Sequence, residues 1–153
     1  PVSCPTVMFN PAQTFSDACL VFGRLLLGLF FIGPGIMKIT GFEGMSAYMA
    51  AAGVPFVPVL LVITIIIQIG CGTMLVVGFK GRVAAFLLAG LTFMISFYMH
   101  AFWNMEDGPQ KGHEMQSFIK NMGIMAGLLI VSAVGTGRFS LDKRRTDSDG
   151  WAS

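Results

Sequence analysis

The sequence predicts an all-α integral membrane protein: a four-helix bundle with a short interfacial helix between its first and second spans. Three observations predict it. Hydrophobic residues make up 54% of the 153 and charged ones only 12%, against roughly 25% charged in an ordinary soluble domain; mean hydropathy is +0.73. Four stretches, at about 18–37, 56–79, 83–103 and 115–135, each reach the roughly 20 apolar residues a helix needs to cross hydrocarbon. Between the second and third only Lys80, Gly81 and Arg82 remain, so those two helices must be antiparallel neighbours.

Residues 1–17 are polar and carry no Lys or Arg, so they lack the basic region of a secretory signal and are expected to form an N-terminal cytoplasmic segment. The first span contains Gly33-Pro34-Gly35. Pro34 has no N–H to offer the carbonyl of Phe30, which predicts a break or kink, as a packing feature or as the border of a ligand site. The connection 38–55 holds the alanine-rich piece Glu43 to Ala52. It is too short to span and is expected to lie at the interface as a helix stopped by Gly53 and Pro55. The connection 104–114 is polar, with the turn signal Asp107-Gly108-Pro109, and is expected to face water. One membrane domain, 18–142, is followed by a charged tail, 143–153, whose Trp151 can dock on a partner or at the membrane surface.

Orientation follows from the basic residues. With both termini cytoplasmic, Arg24, Lys80, Arg82, Arg138, Lys143, Arg144 and Arg145 fall on that side and only Lys38, Lys111 and Lys120 on the other, as the positive-inside bias requires.

Composition excludes several classes. A net charge of +2 without a basic, aromatic-interleaved run offers nucleic acid no groove. Cys4, Cys19 and Cys71 form no CxxC pair, so they read as inert buried thiols and not as a redox couple. The only histidines are His100 and His113. With His113 in a loop, neither a bis-histidine haem nor a metal site on His100, His113 and Glu114 is expected.

A polar side chain inside hydrocarbon is a functional candidate by default. Arg24 lies in the first span, Gln68 near the middle of the second, His100 near the outer end of the third, and Lys120 with Asn121 in the first turns of the fourth. Arg24 keeps its charge at any accessible pH, and with no acid expected in a span its default partner is a lipid phosphate or a helix-end carbonyl. Gln68 exchanges no proton and reads first as helix glue. Lys38, His100, Trp103, Glu114 and Lys120, with Asn121, fall at the outer helix ends. Together they can line a cationic, aromatic-walled pocket for a quinone head or an anionic lipid head group; the plainer alternative is that both lysines snorkel while His100 bonds a loop carbonyl. Gly70 with Gly72, and Gly123 with Gly127, put small residues where helices can seat on each other or on a second protein.

From about Gly23 to Asp142 the chain resembles the DoxX family of small bacterial membrane proteins. Gly23-Arg24-Leu25-Leu26-Leu27-Gly28 with Phe30 and Gly35 to Lys38 resembles the family's opening helix, and Lys80-Gly81-Arg82-Val83-Ala84-Ala85 its basic turn. His100-Ala101-Phe102-Trp103 and Phe118-Ile119-Lys120-Asn121 resemble the end of its third helix and the start of its last, and Gly135 to Asp142 its closing signature. The resemblance implies a four-helix bundle in a bacterial inner membrane and an association with redox membranes, some relatives being linked to thiosulfate oxidation with quinone as acceptor. One departure is Gln68, near where many relatives carry a glutamate.

No complete catalytic constellation and no flavin, haem or iron-sulfur motif is present. The leading expectation is therefore an accessory subunit that contacts membrane lipids and other membrane subunits, carries no covalent cofactor and binds lipid or quinone. The rivals are the membrane subunit of a quinone-dependent oxidoreductase and a small transporter.

Overall fold

The computed structural model describes residues 10–142. The charged tail with Trp151, Cys4 and the first part of the N-terminal segment lie outside the described residues.

Among the described residues five α-helices follow one another: α1 (Pro11–Thr40), α2 (Phe42–Ala51), α3 (Val57–Val77), α4 (Gly81–Met99) and α5 (Pro109–Val134), with a 3-10 turn at Phe102–Asn104 before α5. Four of them, all but α2, are long and apolar enough to cross a membrane. α2 is the short helix expected between the first two spans, and its chain turns at Gly53.

The spans begin and end elsewhere than hydropathy placed them. α1 starts at Pro11, with the Asn10 carboxamide accepting from the N–H of Ala12 at 3.1 Å. α5 likewise starts at Pro109, where a ring with fixed φ and no N–H is well suited to a first helical position. The segment expected as an aqueous loop therefore supplies two turns of helix, and His113, expected in a loop, sits exposed on α5. α4 stops at Met99, with the N–H of His100 bonded to the Ser96 carbonyl at 3.2 Å, so Trp103 is not on that helix. Acidic residues do occupy the long helices, contrary to expectation: Asp17 on α1 and Glu114 on α5 are both buried.

α1 packs chiefly on α3, and α4 on α5. The α1–α3 crossing depends on glycine: a Cβ on Gly28 would stand 2.5 Å from Val76 and 2.7 Å from the Gly72 carbonyl, and one on Gly72 would stand 2.9 Å from Ile32. Backbones approach because nothing projects between them. Of the glycines expected to seat helices, Gly72 alone does so among the described residues, where Gly70, Gly123 and Gly127 meet nothing within 4 Å. Phe31, Leu75, Leu88, Leu128 and Val131 form the core with the small residues Ala84, Ala85 and Ala89 of α4. Cys71 joins that core, whereas Cys19 is exposed on α1.

At the end of the bundle bearing the α3–α4 turn, the closing segment is tied down by charge. Arg24, 6% exposed, donates from Nη1 to the Thr136 carbonyl at 3.0 Å and from Nη2 to the Phe139 carbonyl. Its hydrogen-bond acceptors are thus carbonyls of the closing segment beyond the end of α5. Asp142 accepts from the N–H groups of Lys80 at 2.6 Å and Gly81 at 2.9 Å, capping α4 with a negative charge at its positive end. This is what Gly135 to Asp142 does: it latches α1 to the α3–α4 turn.

Candidate functional site

At the opposite end the ends of α1 and α4, with α2, α3 and α5, surround three adjoining cavities of about 240 Å³ each. The innermost is lined by Lys38, Gln68, Thr92, His100 and Asn121 against Phe30, Phe31 and Pro34. The next shares Lys38 and His100 with it and adds Tyr48 and Met49 of α2. The third is a groove between α3 and α4, apolar except for Thr64 and Tyr98. Its rim residues Leu60, Ile63 and Met94 are exposed on the helix surface where lipid would lie. Ile95 borders all three.

Each polar group has a local cause. α1 runs unbroken through Pro34, contrary to the expected break, and Pro34 forms part of the wall of the inner cavity. Gln68 is 4% exposed, and its Oε1 has no hydrogen-bond partner. Such an orphan is unfavourable by about 1–3 kcal/mol unless something fills it. Thr92 and Ser96 of α4 are satisfied within their own helix, donating to the carbonyls of Leu88 at 2.8 Å and Thr92 at 2.7 Å.

His100 is held from behind. Its Nδ1 lies 2.6 Å from Glu114 Oε2, and Glu114 Oε1 accepts from Gln110 Nε2 at 3.1 Å. With the carboxylate accepting, the proton sits on Nδ1 and Nε2 is the nitrogen left for a ligand. Glu114 is 8% exposed. Its charge reaches Tyr48 on α2, whose phenol is pushed above its ordinary value first by burial and then by this carboxylate.

Of the residues expected to share a pocket, Lys38, His100 and Asn121 do line one cavity. Gln68, expected to join helices, lines it as well. Trp103 and Lys120 do not: Lys120 is exposed. Trp103 packs its ring on Phe97, Phe102 and Phe118, at 5.4, 5.3 and 5.7 Å between centroids, fastening the 3-10 turn to α4 and α5. Among the described residues no three His, Cys, Asp or Glu side chains come together as metal ligands would.

Fold and site together define a small helical membrane protein with a mixed polar and aromatic cavity near one end of its bundle. Residues 19–101 match the DoxX family. Two Escherichia coli K12 proteins are similar along most of their length. Inner membrane protein YphA is 32% identical over 125 residues, covering 82% of this chain and 89% of that protein. Inner membrane protein YqjF is 33% identical over 131 residues, covering 86% and 95%. The chain belongs to the DoxX family. No solved structure matches it.

Proposed function

We propose that this protein is an accessory subunit of a larger inner-membrane assembly, with both termini cytoplasmic, and that it holds a quinone-like ring compound in the cavity at the outer helix ends. The observation that carries the reading is that Gln68, buried with its amide oxygen unpartnered, lines a cavity together with Lys38, His100 and Asn121. Those groups can bond a polar ring, Phe30 and Phe31 can flank it, and the apolar groove beyond Ile95 can take its tail. Sites for such molecules are apolar with a few convergent polar groups.

Native mass spectrometry of protein released from nanodiscs tests both halves. Retained quinone that disappears in Gln68→Leu, together with larger partner subunits, is the expected result. Phospholipid alone, unaffected by that substitution, would overturn the ligand reading; a chain that always flies without partners would overturn the accessory role.

The His100–Glu114 pair favours one further reading, the membrane subunit of a quinone-dependent oxidoreductase, since a carboxylate-backed imidazole beside a quinone can move protons. Electrons would come from another subunit. Quinone reduction by the assembled complex, abolished by His100→Ala while assembly persists, would establish it.

A further inference from the structure

The inner cavities hold one lysine and one imidazole and no acid of their own. Lys38 and His100 line both, whereas no Asp or Glu lines either. The charged and titratable groups around His100 are Lys38 from α1, Tyr48 from α2 and Glu114 from α5; α3 and the rest of α4 contribute only the uncharged Thr64, Gln68 and Thr92. The groove that adjoins these cavities on the lipid-facing surface is apolar, and an approach along it opposes a permanent ion.

Resting on the quinone-like reading above, we infer that the ligand is a weak acid, a phenol or enol on an apolar body, that passes its proton to His100 as it binds. The ligand's O–H bond breaks and an N–H bond forms at Nε2. The electron pair stays on the ligand oxygen, which faces Lys38, and nothing is oxidised or reduced. Glu114 is the positioning residue: it holds the proton on Nδ1, keeps Nε2 free to accept, and balances the imidazolium that forms.

The charges support this assignment. Before binding, the Lys38 ammonium and the Glu114 carboxylate cancel beside a neutral imidazole. Afterwards ammonium and imidazolium face carboxylate and phenolate, and the sum is again zero. A neutral ligand enters, ionises on arrival, and the site gains no net charge at any stage. A permanent anion such as a phosphate would leave the site negative, and a ligand without an acidic hydrogen would leave Lys38 with no anionic oxygen to face.

The probe is 4-nonyl-2-nitrophenol, whose ionised form absorbs visible light, with its methyl ether as a control that has no proton to give. Both are titrated into the full-length protein in nanodiscs, in weak buffer, at a pH where the free phenol is mostly neutral. The expected result is the phenolate band on binding, with no proton released to solution because His100 retains it. In Glu114→Gln the ether should bind as before and the phenol about tenfold more weakly, while Glu114→Asp should restore part of the difference.

Three outcomes would overturn the proposal while leaving the cavity reading intact. They are a bound phenol without the phenolate band, a phenolate band with one proton released per site, and equal loss of phenol and ether binding in Glu114→Gln. Failure of both probes to bind the unaltered protein would instead remove the ligand site, and this inference with it. The absorbance and proton counts need no variant, so a misfolded Glu114→Gln leaves the test standing.

Discussion

Replacing Gln68 by Leu exchanges a buried amide for an apolar side chain of similar size, and the structure fixes the sign of the effect. Gln68 is 4% exposed with Oε1 unpartnered. An unfilled buried acceptor is unfavourable by about 1–3 kcal/mol, and hydrogen bonds inside membrane bundles are worth about 0.6–2 kcal/mol. The ligand-free variant should therefore be more stable than the parent by about 1–2 kcal/mol. Saturation reverses the order: a ligand at a hundred times its dissociation constant stabilises the parent by about 2.7 kcal/mol, whereas the variant gains little. Reversible unfolding in mixed detergent micelles, with and without a short-chain quinone, reads both terms. A Leu variant less stable than the parent without ligand would show that Gln68 has a partner in the bundle. An undiminished quinone effect in the variant would show that the ligand binds elsewhere.

Other expectations are independent of the ligand. Gly28→Ala puts a methyl group against Val76 and the Gly72 carbonyl and should destabilise the fold by about 1–3 kcal/mol in the same unfolding assay. Gly123→Ala has open space around it and should leave monomer unfolding unchanged; loss of an oligomer on native gels would show that this face meets another chain. Asp142→Ala removes the acceptor for Lys80 and Gly81, which should lower stability by about 1 kcal/mol and speed proteolysis of the closing segment. Tyr48 keeps its proton to higher pH than a free tyrosine because of burial and Glu114. What it contributes to stability is thus fully present below the ordinary tyrosine range and is lost as pH rises through its raised value. In a Tyr98→Phe background, ultraviolet titration should show that midpoint fall in Glu114→Gln but stay above the free value.

The spans were legible because hydropathy over twenty residues outweighs any local signal. Their ends were not, because the capping chemistry at Asn10 with Pro11, and at Pro109, lies in polar sequence that hydropathy discounts. That is why Glu114 was given to a loop and its grip on His100 went unread. Lys38, His100 and Asn121 could be brought together from helix ends alone. Lys120 could not be separated from Asn121 by depth, since consecutive residues on a helix differ in direction and hardly in height. Trp103 was misplaced with the end of α4, where His100 halts the helix and the 3-10 turn redirects the chain. Gln68 was legible as a polar residue in the second span, but whether it bonds a neighbour or faces a cavity depends on what packs around it. Sequence does not carry that.

Arg24 also sets an order of events during synthesis. It lies on α1, and its carbonyl acceptors at Thr136 and Phe139 follow 112 and 115 residues later, beyond α5. Until they emerge, the guanidinium must lean toward lipid phosphates at the membrane surface, so the first helix sits provisionally in depth and rotation. The arrival of the closing segment exchanges that lipid contact for fixed carbonyls and sets α1 against α3. The four long helices thus reach their final arrangement only once α5 has been inserted, and a chain halted before Thr136 would leave a charged helix for quality-control proteases to find.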